Sequence, residues 1–232
     1  YVDMKNVYIS ISTDPVCGKN LTENLISHAK EVERSGADFL HCDIMDGKFV
    51  EQRTYGASEL FEIDQNSVIP LDVHLMTEKP WKKILDYKRA GANFLTLHFE
   101  AFKRKNGKLK KRLLLKTIKK VKEKNMLFGL SIKPKTEISE IQAFFDKLDL
   151  ILIMSVEPGK SGQSFIDSSF QKVEKLAKLR EENGCNFKIS VDGGIVPEIS
   201  KKLISLGADI VVSGSYYFKS EDKAGAVKNL RA

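Results

Sequence analysis

DFLHCDIMDG fills residues 38–47, and its reading decides the fold. It is a short apolar run with polar groups spaced two apart. Side chains alternate between two faces along an extended strand, so His41, Asp43 and Met45 share one face. Similar runs recur along the chain: VYISIS (7–12), IPLDVHL (69–75), NFLTLHF (93–99), MLFGLSI (126–132), LDLILIM (148–154), FKISVD (187–192) and DIVVSG (209–214). Between them lie stretches with apolar residues at spacings of three and four, which predict helices. These are residues 24–36, 80–92, 113–124, 137–147, 170–184, 197–208 and 222–232, with a less regular segment at 57–64. Gly36, Gly91, Gly184 and Gly207 each stand just past a periodic stretch, where a left-handed residue ends a helix. Alternating strand and helix is the mark of parallel βαβ units, and eight nearly apolar strands fit a closed (β/α)8 TIM barrel. An open doubly wound sheet uses the same elements. It would carry a Gly-x-Gly-x-x-Gly turn after its first strand, and STDPVCGKN at 12–20 contains none.

At 232 residues and 42% hydrophobic, the chain can bury the core of one barrel domain spanning 1–232; such barrels typically run to about 250 residues. Tyr1-Val2-Asp3 precede Met4 and are expected to be an expression remnant. No run approaches the roughly 18 apolar residues of a membrane span. The amino terminus lacks a charged segment followed by an apolar signal stretch, so a soluble, cytoplasmic protein is expected. Cys17, Cys42 and Cys185 are far apart and fit neither a disulfide framework nor a zinc ribbon, and Cys42 is expected in the core. The net charge is +7, and seven of the ten residues at 103–112 (KRKNGKLKKR) are basic. No recognition helix, aromatic platform or zinc finger accompanies that run. It reads as a solvated loop entering a helix, with no nucleic-acid partner.

In a (β/α)8 barrel the chemistry gathers at the carboxyl ends of the strands. The second strand ends with His41, Asp43 and Met45, the third with Asp72, His74 and Met76, and the seventh with Asp192 before Gly193-Gly194. A lone buried histidine is more often a hydrogen-bonded core residue than a ligand. Two imidazoles with two carboxylates, however, suit one divalent Fe, Zn, Mn or Co, and burying both carboxylates without a cation or hydrogen bonds is costly.

LHCDIMDGKFV (40–50), LDVHLM (71–76), MSVEPGKSGQSFI (154–166) and SVDGGI (190–195) resemble, in order, motifs of strands two, three, six and seven of the ribulose-phosphate 3-epimerases. The resemblance extends over nearly the whole chain. It implies that His41, Asp43, His74 and Asp192 hold one divalent metal, and that Asp43 and Asp192 move protons on opposite faces of the substrate. It also implies a homo-oligomer acting in the pentose phosphate pathway, with D-ribulose 5-phosphate and D-xylulose 5-phosphate as its epimeric pair. Met45, Met76 and Met154 would pack around the planar intermediate. Gly159, Lys160, Ser161 and Gly162, then Gly193 and Gly194, then Gly214 and Ser215 would take the phosphate, since glycine lets backbone approach an anion closely.

Some positions depart from the family pattern. Ile9 stands where a serine is usual, Lys48 replaces a histidine, Glu51-Gln52 a Pro-Asn, Lys133 an asparagine, and Lys160-Ser161 a Phe-Gly. All four implied ligands remain. An epimerase of another ketose phosphate such as allulose 6-phosphate is the alternative; retention of both aspartates argues against a silent phosphosugar-binding paralogue, and the lack of an aromatic platform against an RNA-binding scaffold using 103–112. The orotidine-phosphate decarboxylase relatives would show Asp-x-Lys on strand three, where this chain has Asp72-Val73-His74.

Overall fold

The computed structural model describes residues 7–160 and 162–232. The expected remnant at 1–3 lies outside the described residues. All eight expected strands form: β1 (Tyr8–Ser12), β2 (Phe39–Met45), β3 (Leu71–Met76), β4 (Ala92–His98), β5 (Leu127–Ile132), β6 (Leu150–Met154), β7 (Lys188–Asp192) and β8 (Ile210–Ser213). They pair in chain order, and β8 pairs in parallel with β1 to close the barrel. Closure excludes the open doubly wound sheet.

Helices α1 (Leu21–Arg34), α2 (Ala57–Asn66), α3 (Ile84–Arg89), α4 (Lys111–Lys122), α5 (Ser168–Glu182), α6 (Pro197–Ser205), α7 (Ser215–Lys219) and α8 (Lys223–Arg231) accompany the strands. The irregular 57–64 pattern is the start of a true helix, α2, which buries Leu60 and Ile63. Gly36 and Gly207, past α1 and α6, have φ of +80° and +103°, the left-handed region expected at a helix end. Three expectations need correction. The 80–92 stretch is a 3-10 turn at Pro80–Lys82 followed by the six-residue α3, and Ala92 already begins β4. Residues 137–147 form two 3-10 helices, Ile138–Glu140 and Gln142–Lys147, rather than an α-helix. Their buried residues Ile138, Ile141 and Phe144 recur every third position, which fits three residues per turn better than 3.6. In addition, α7, directly after β8, was not expected from the periodicity.

Alternation along the strands divides the protein into two interiors. Leu40, Cys42 and Ile44 of β2 face outward into the layer packed under the helices. The inward residues make a second, smaller apolar cluster of Leu150, Leu152, Met154, Val156 and Ile210, against which Tyr8, Phe39 and Phe94 pack. Those three rings touch in sequence, tilted for Tyr8 and Phe39 with centroids 5.6 Å apart and edge-on for Phe39 and Phe94 at 5.3 Å. They belong to the starts of β1, β2 and β4, so the amino end of the barrel axis is filled with apolar groups. The carboxyl end is left for polar ones.

Packing on the axis is tight at Gly129 of β5. A Cβ there would sit 2.2 Å from the Thr96 hydroxyl oxygen and 3.1 Å from Leu150 Cδ2. Overpacking of this kind costs about 1–3 kcal/mol. Gly129→Ala should lose stability of that order in urea denaturation, and a wild-type midpoint would show that the axis can relax around a methyl group.

Candidate metal centre and phosphate pocket

Parallel pairing sets the site. In the β2–β3 register Asp43 lies beside His74 and Met45 beside Met76, and in the β6–β7 register Met154 lies beside Asp192. One nitrogen or oxygen from each of His41, Asp43, His74 and Asp192 lies within 4.8 Å of the others. His41 Nε2 and His74 Nδ1 are 3.3 Å apart, and Asp43 Oδ1 is 3.4 Å from the first and 3.1 Å from the second. Asp192 Oδ2 completes the group, 3.8 Å from His41 Nε2. Two imidazole nitrogens and two carboxylate oxygens turned toward one point fit a divalent transition metal.

Neighbouring strands hold these groups in place. The Ser12 hydroxyl donates to Asp43 Oδ2 at 2.7 Å, which leaves Oδ1 toward the imidazoles. Asp72 Oδ2 lies 2.7 Å from His41 Nδ1 and also accepts from the Ser10 hydroxyl at 3.3 Å. The Ser155 hydroxyl donates to the backbone carbonyls of Asp192 and Gly193 at 2.8 and 2.7 Å. His74 Nε2 lies 2.9 Å from His98 Nε2, and His98 Nδ1 lies 3.1 Å from Glu100 Oε2.

A pocket opens beside the cluster. Asp43, Asp192, Met45, Met76 and Met154 line it together with Gly159, Lys160, Gly162, Gly193, Gly194, Gly214 and Ser215. Ser161, the remaining expected phosphate residue, lies outside the described residues. Gly194 has φ +66°, and a Cβ there would come within 2.6 Å of the Phe165 amide nitrogen, so only glycine fits this wall.

The sequence profile of the Ribulose-phosphate 3 epimerase family matches residues 18–218. The chain belongs to the ribulose-phosphate 3-epimerase family. Among similar sequences, the chloroplastic ribulose-5-phosphate-3-epimerase of Arabidopsis thaliana is 38% identical, across 88% of this chain and 70% of its own length. The ribulose-phosphate 3-epimerase of Bacillus subtilis is 36% identical, across 87% and 89%. The Escherichia coli K12 enzyme of that name is 33% identical, across 85% and 84%. Among solved structures, KGPDC from Streptococcus mutans matches with a TM-score of 0.68 at 12% identity, covering 97% of this chain and 95% of its own. A 3-hexulose-6-phosphate synthase matches with 0.67 at 16% identity, covering 97% and 98%. At such identities the likeness shows the fold alone.

The departures from the ribulose-phosphate 3-epimerase pattern separate in three dimensions. Ile9 faces outward into the core under the helices, while Ser10 and Ser12 face the axis, so β1 still offers hydroxyls there. Lys133 Nζ sits 4.8 Å above the Phe49 ring, and Phe49 stacks on His98 at 4.8 Å. Lys48 belongs to a loop pinned by Asp46, whose carboxylate accepts from the backbone amides of Lys48, Phe49 and Glu78. Of the three lysines only Lys160 lines the pocket. In the basic run Lys103 pairs with Glu140 and lies over the Phe99 ring, while Lys105, Asn106, Gly107 and Lys108 are exposed, as a solvated loop requires.

Spacing puts Asp72 on the His74 face of β3 but does not pair it with His41, and it singles out neither His98 nor Glu100. His98 carries a visible signal, since it ends β4 much as His74 stands near the end of β3.

Burial opposes the charge of every group in this cluster, and the neighbours decide the outcome. Burial alone would raise Asp43, but the imidazoles of His41 and His74 hold its carboxyl well below the usual range. Burial, then the negative charge of Asp43, pushes Asp192 up to about 7. His41 is raised despite its burial, because Asp72 and Asp43 flank it. Burial lowers His74 to about 4, with the Asp43 hydrogen bond opposing. Burial would raise Glu100, but hydrogen bonds from His98, the Lys133 amide and Thr136 bring it to about 2.

That last depression fixes a pH dependence. Glu100 contributes its stability fully above its ordinary value of 4.5 and loses it as pH falls toward about 2. The stability gap between wild type and Glu100→Gln in urea should be widest at neutral pH and close across that window. A gap independent of pH would mean that the carboxylate charge plays no part.

Proposed function

We propose that this chain is a metal-dependent ribulose-phosphate 3-epimerase interconverting D-ribulose 5-phosphate and D-xylulose 5-phosphate. The observation that carries the reading is the convergence of Asp43 and Asp192 with two imidazoles, beside a pocket whose far wall is glycine-lined backbone. His41, Asp43, His74 and Asp192 would hold one divalent cation, Fe, Zn, Mn or Co. When bound, the cation supplies positive charge beside the substrate oxygens and so favours the enediolate.

The chain's own residues account for the rest. One aspartate takes the proton from the third carbon on one face, and the other returns a proton on the opposite face, which inverts that centre. Ser12 and Ser155 keep the two aspartates in place during transfer. Met45, Met76 and Met154 pack around the planar intermediate and exclude water. Gly159, Lys160, Ser161, Gly162, Gly193, Gly194, Gly214 and Ser215 receive the phosphate. Lys160, in place of an aromatic residue at the pocket wall, favours as second reading another ketose phosphate such as allulose 6-phosphate. Among the described residues no helix is long and apolar enough to cross a membrane. A single-domain cytoplasmic homo-oligomer is part of the same reading.

Elemental analysis of gently purified protein should find close to one divalent transition metal per chain, with lower occupancy in His74→Ala. Full loading of that variant removes His74 from the ligand set. Asp43→Asn and Asp192→Asn should each abolish epimerisation. Where metal content is retained, each should still exchange solvent deuterium into one epimer, a different epimer for each variant. Near-normal epimerisation by metal-loaded Asp192→Asn would sink the two-base assignment.

A further inference from the structure

His41 and His74 present different ring nitrogens to the cluster, Nε2 from the first and Nδ1 from the second. A histidine serves as a metal ligand only through a bare nitrogen, so its single proton must be held on the other one. For His41 the holder is direct, because Asp72 Oδ2 accepts at 2.7 Å from Nδ1. For His74 the outer nitrogen meets another histidine, which can either give or take a proton there.

Glu100 resolves the choice. Its Oε1 accepts from the Lys133 amide at 2.9 Å and from the Thr136 hydroxyl, and its Oε2 faces His98 Nδ1 at 3.1 Å. A carboxylate filled in this way only accepts, so His98 carries its proton on Nδ1. His98 Nε2 is then bare and accepts, across 2.9 Å, from the Nε2–H of His74. His74 Nδ1 turns its lone pair into the cluster when a cation is held there, against the pull of Asp43 Oδ1, which at 3.1 Å accepts from Nδ1–H in the cation's absence. His98 is fully buried, with Phe49 stacked on its ring, and so holds its orientation. The loop that supplies the Glu100 donors is itself fixed, since Lys172 Nζ of α5 donates to the carbonyls of Pro134 and Thr136 at 2.6 and 2.9 Å.

We infer that His98 and Glu100 are positioning residues, a two-step relay that keeps the His74 proton on Nε2 and so presents Nδ1 as a metal ligand. The inference rests on the proposed ligand role of His74. Neither residue lines the substrate pocket, so their effect passes through His74. Glu100→Gln keeps the shape but places an amide NH2 where only an acceptor fits. His98→Leu removes the acceptor, whereas the amide oxygen of His98→Gln can replace it.

The test has two readouts. In metal-free, 15N-histidine-labelled protein, long-range proton–nitrogen correlation reports which His74 nitrogen is protonated. Wild type should show the larger Nε2–H fraction, since Asp43 competes for the proton at Nδ1, and Glu100→Gln and His98→Leu should shift toward Nδ1–H. In chelator competition with Zn2+, those two variants should bind about 10- to 100-fold more weakly, as loss of an outer-shell partner does elsewhere, while His98→Gln recovers most of the affinity. Circular dichroism establishes that each variant is folded. Wild-type affinity and tautomer in Glu100→Gln overturn the relay, as does equal loss in folded His98→Leu and His98→Gln, which would assign the effect to packing. If His74→Ala binds Zn2+ as tightly as wild type, the ligand reading falls and takes the relay with it; a weakened His74→Ala beside an unaffected Glu100→Gln overturns the relay alone.

Discussion

Two carboxylates and two imidazoles converge on the axis of a closed barrel, and a buried carboxylate is stable only among donors or cations. Asp43 meets this constraint with the Ser12 hydroxyl and the imidazoles of His41 and His74, and Asp72 meets it at Oδ2 with Ser10 and His41. Much of the polar interior follows from it. β1 turns serines inward rather than aliphatic groups, and β4 and β5 bring His98 and the Glu100 partners to the far side of His74. The barrel supplies rigidity that loops could not, because the inward serines of β1 and His41, Asp43, Asp72, His74 and His98 all stand on strands paired on both sides.

The two ends of the axis divide the labour. Apolar groups fill the amino end, so the barrel keeps a conventional core. The polar end then carries pairs of like groups whose environments pull them apart, an ionised Asp43 beside an Asp192 raised to about 7.

The strands and the proposed ligands are legible in the sequence for one reason. A period of two within a strand reports which residues share a face, and His41 with Asp43, or His74 with Met76, can be read that way. Relations across strands depend on register, which no single strand encodes. Asp72 is visible as a neighbour of His74 but not as the partner of His41, and Glu100 lies just beyond β4, outside any alternation. Ile9 shows the same point: it faces the outer core while Ser10 and Ser12 face the axis, and on a strand one residue makes that difference. At 137–147 a spacing of three imitates a loose 3.6, and Ile138, Ile141 and Phe144 instead follow the tighter helix.

The aromatic cluster of Tyr8, Phe39 and Phe94 has a kinetic consequence. With the amino end of the axis filled, the site is a blind tube, and whatever enters must leave by the same mouth. Two epimers that differ at one carbon then share one doorway. Each excludes the other while bound, so a product still in the tube blocks the next substrate, and its departure by the shared mouth precedes every further turnover.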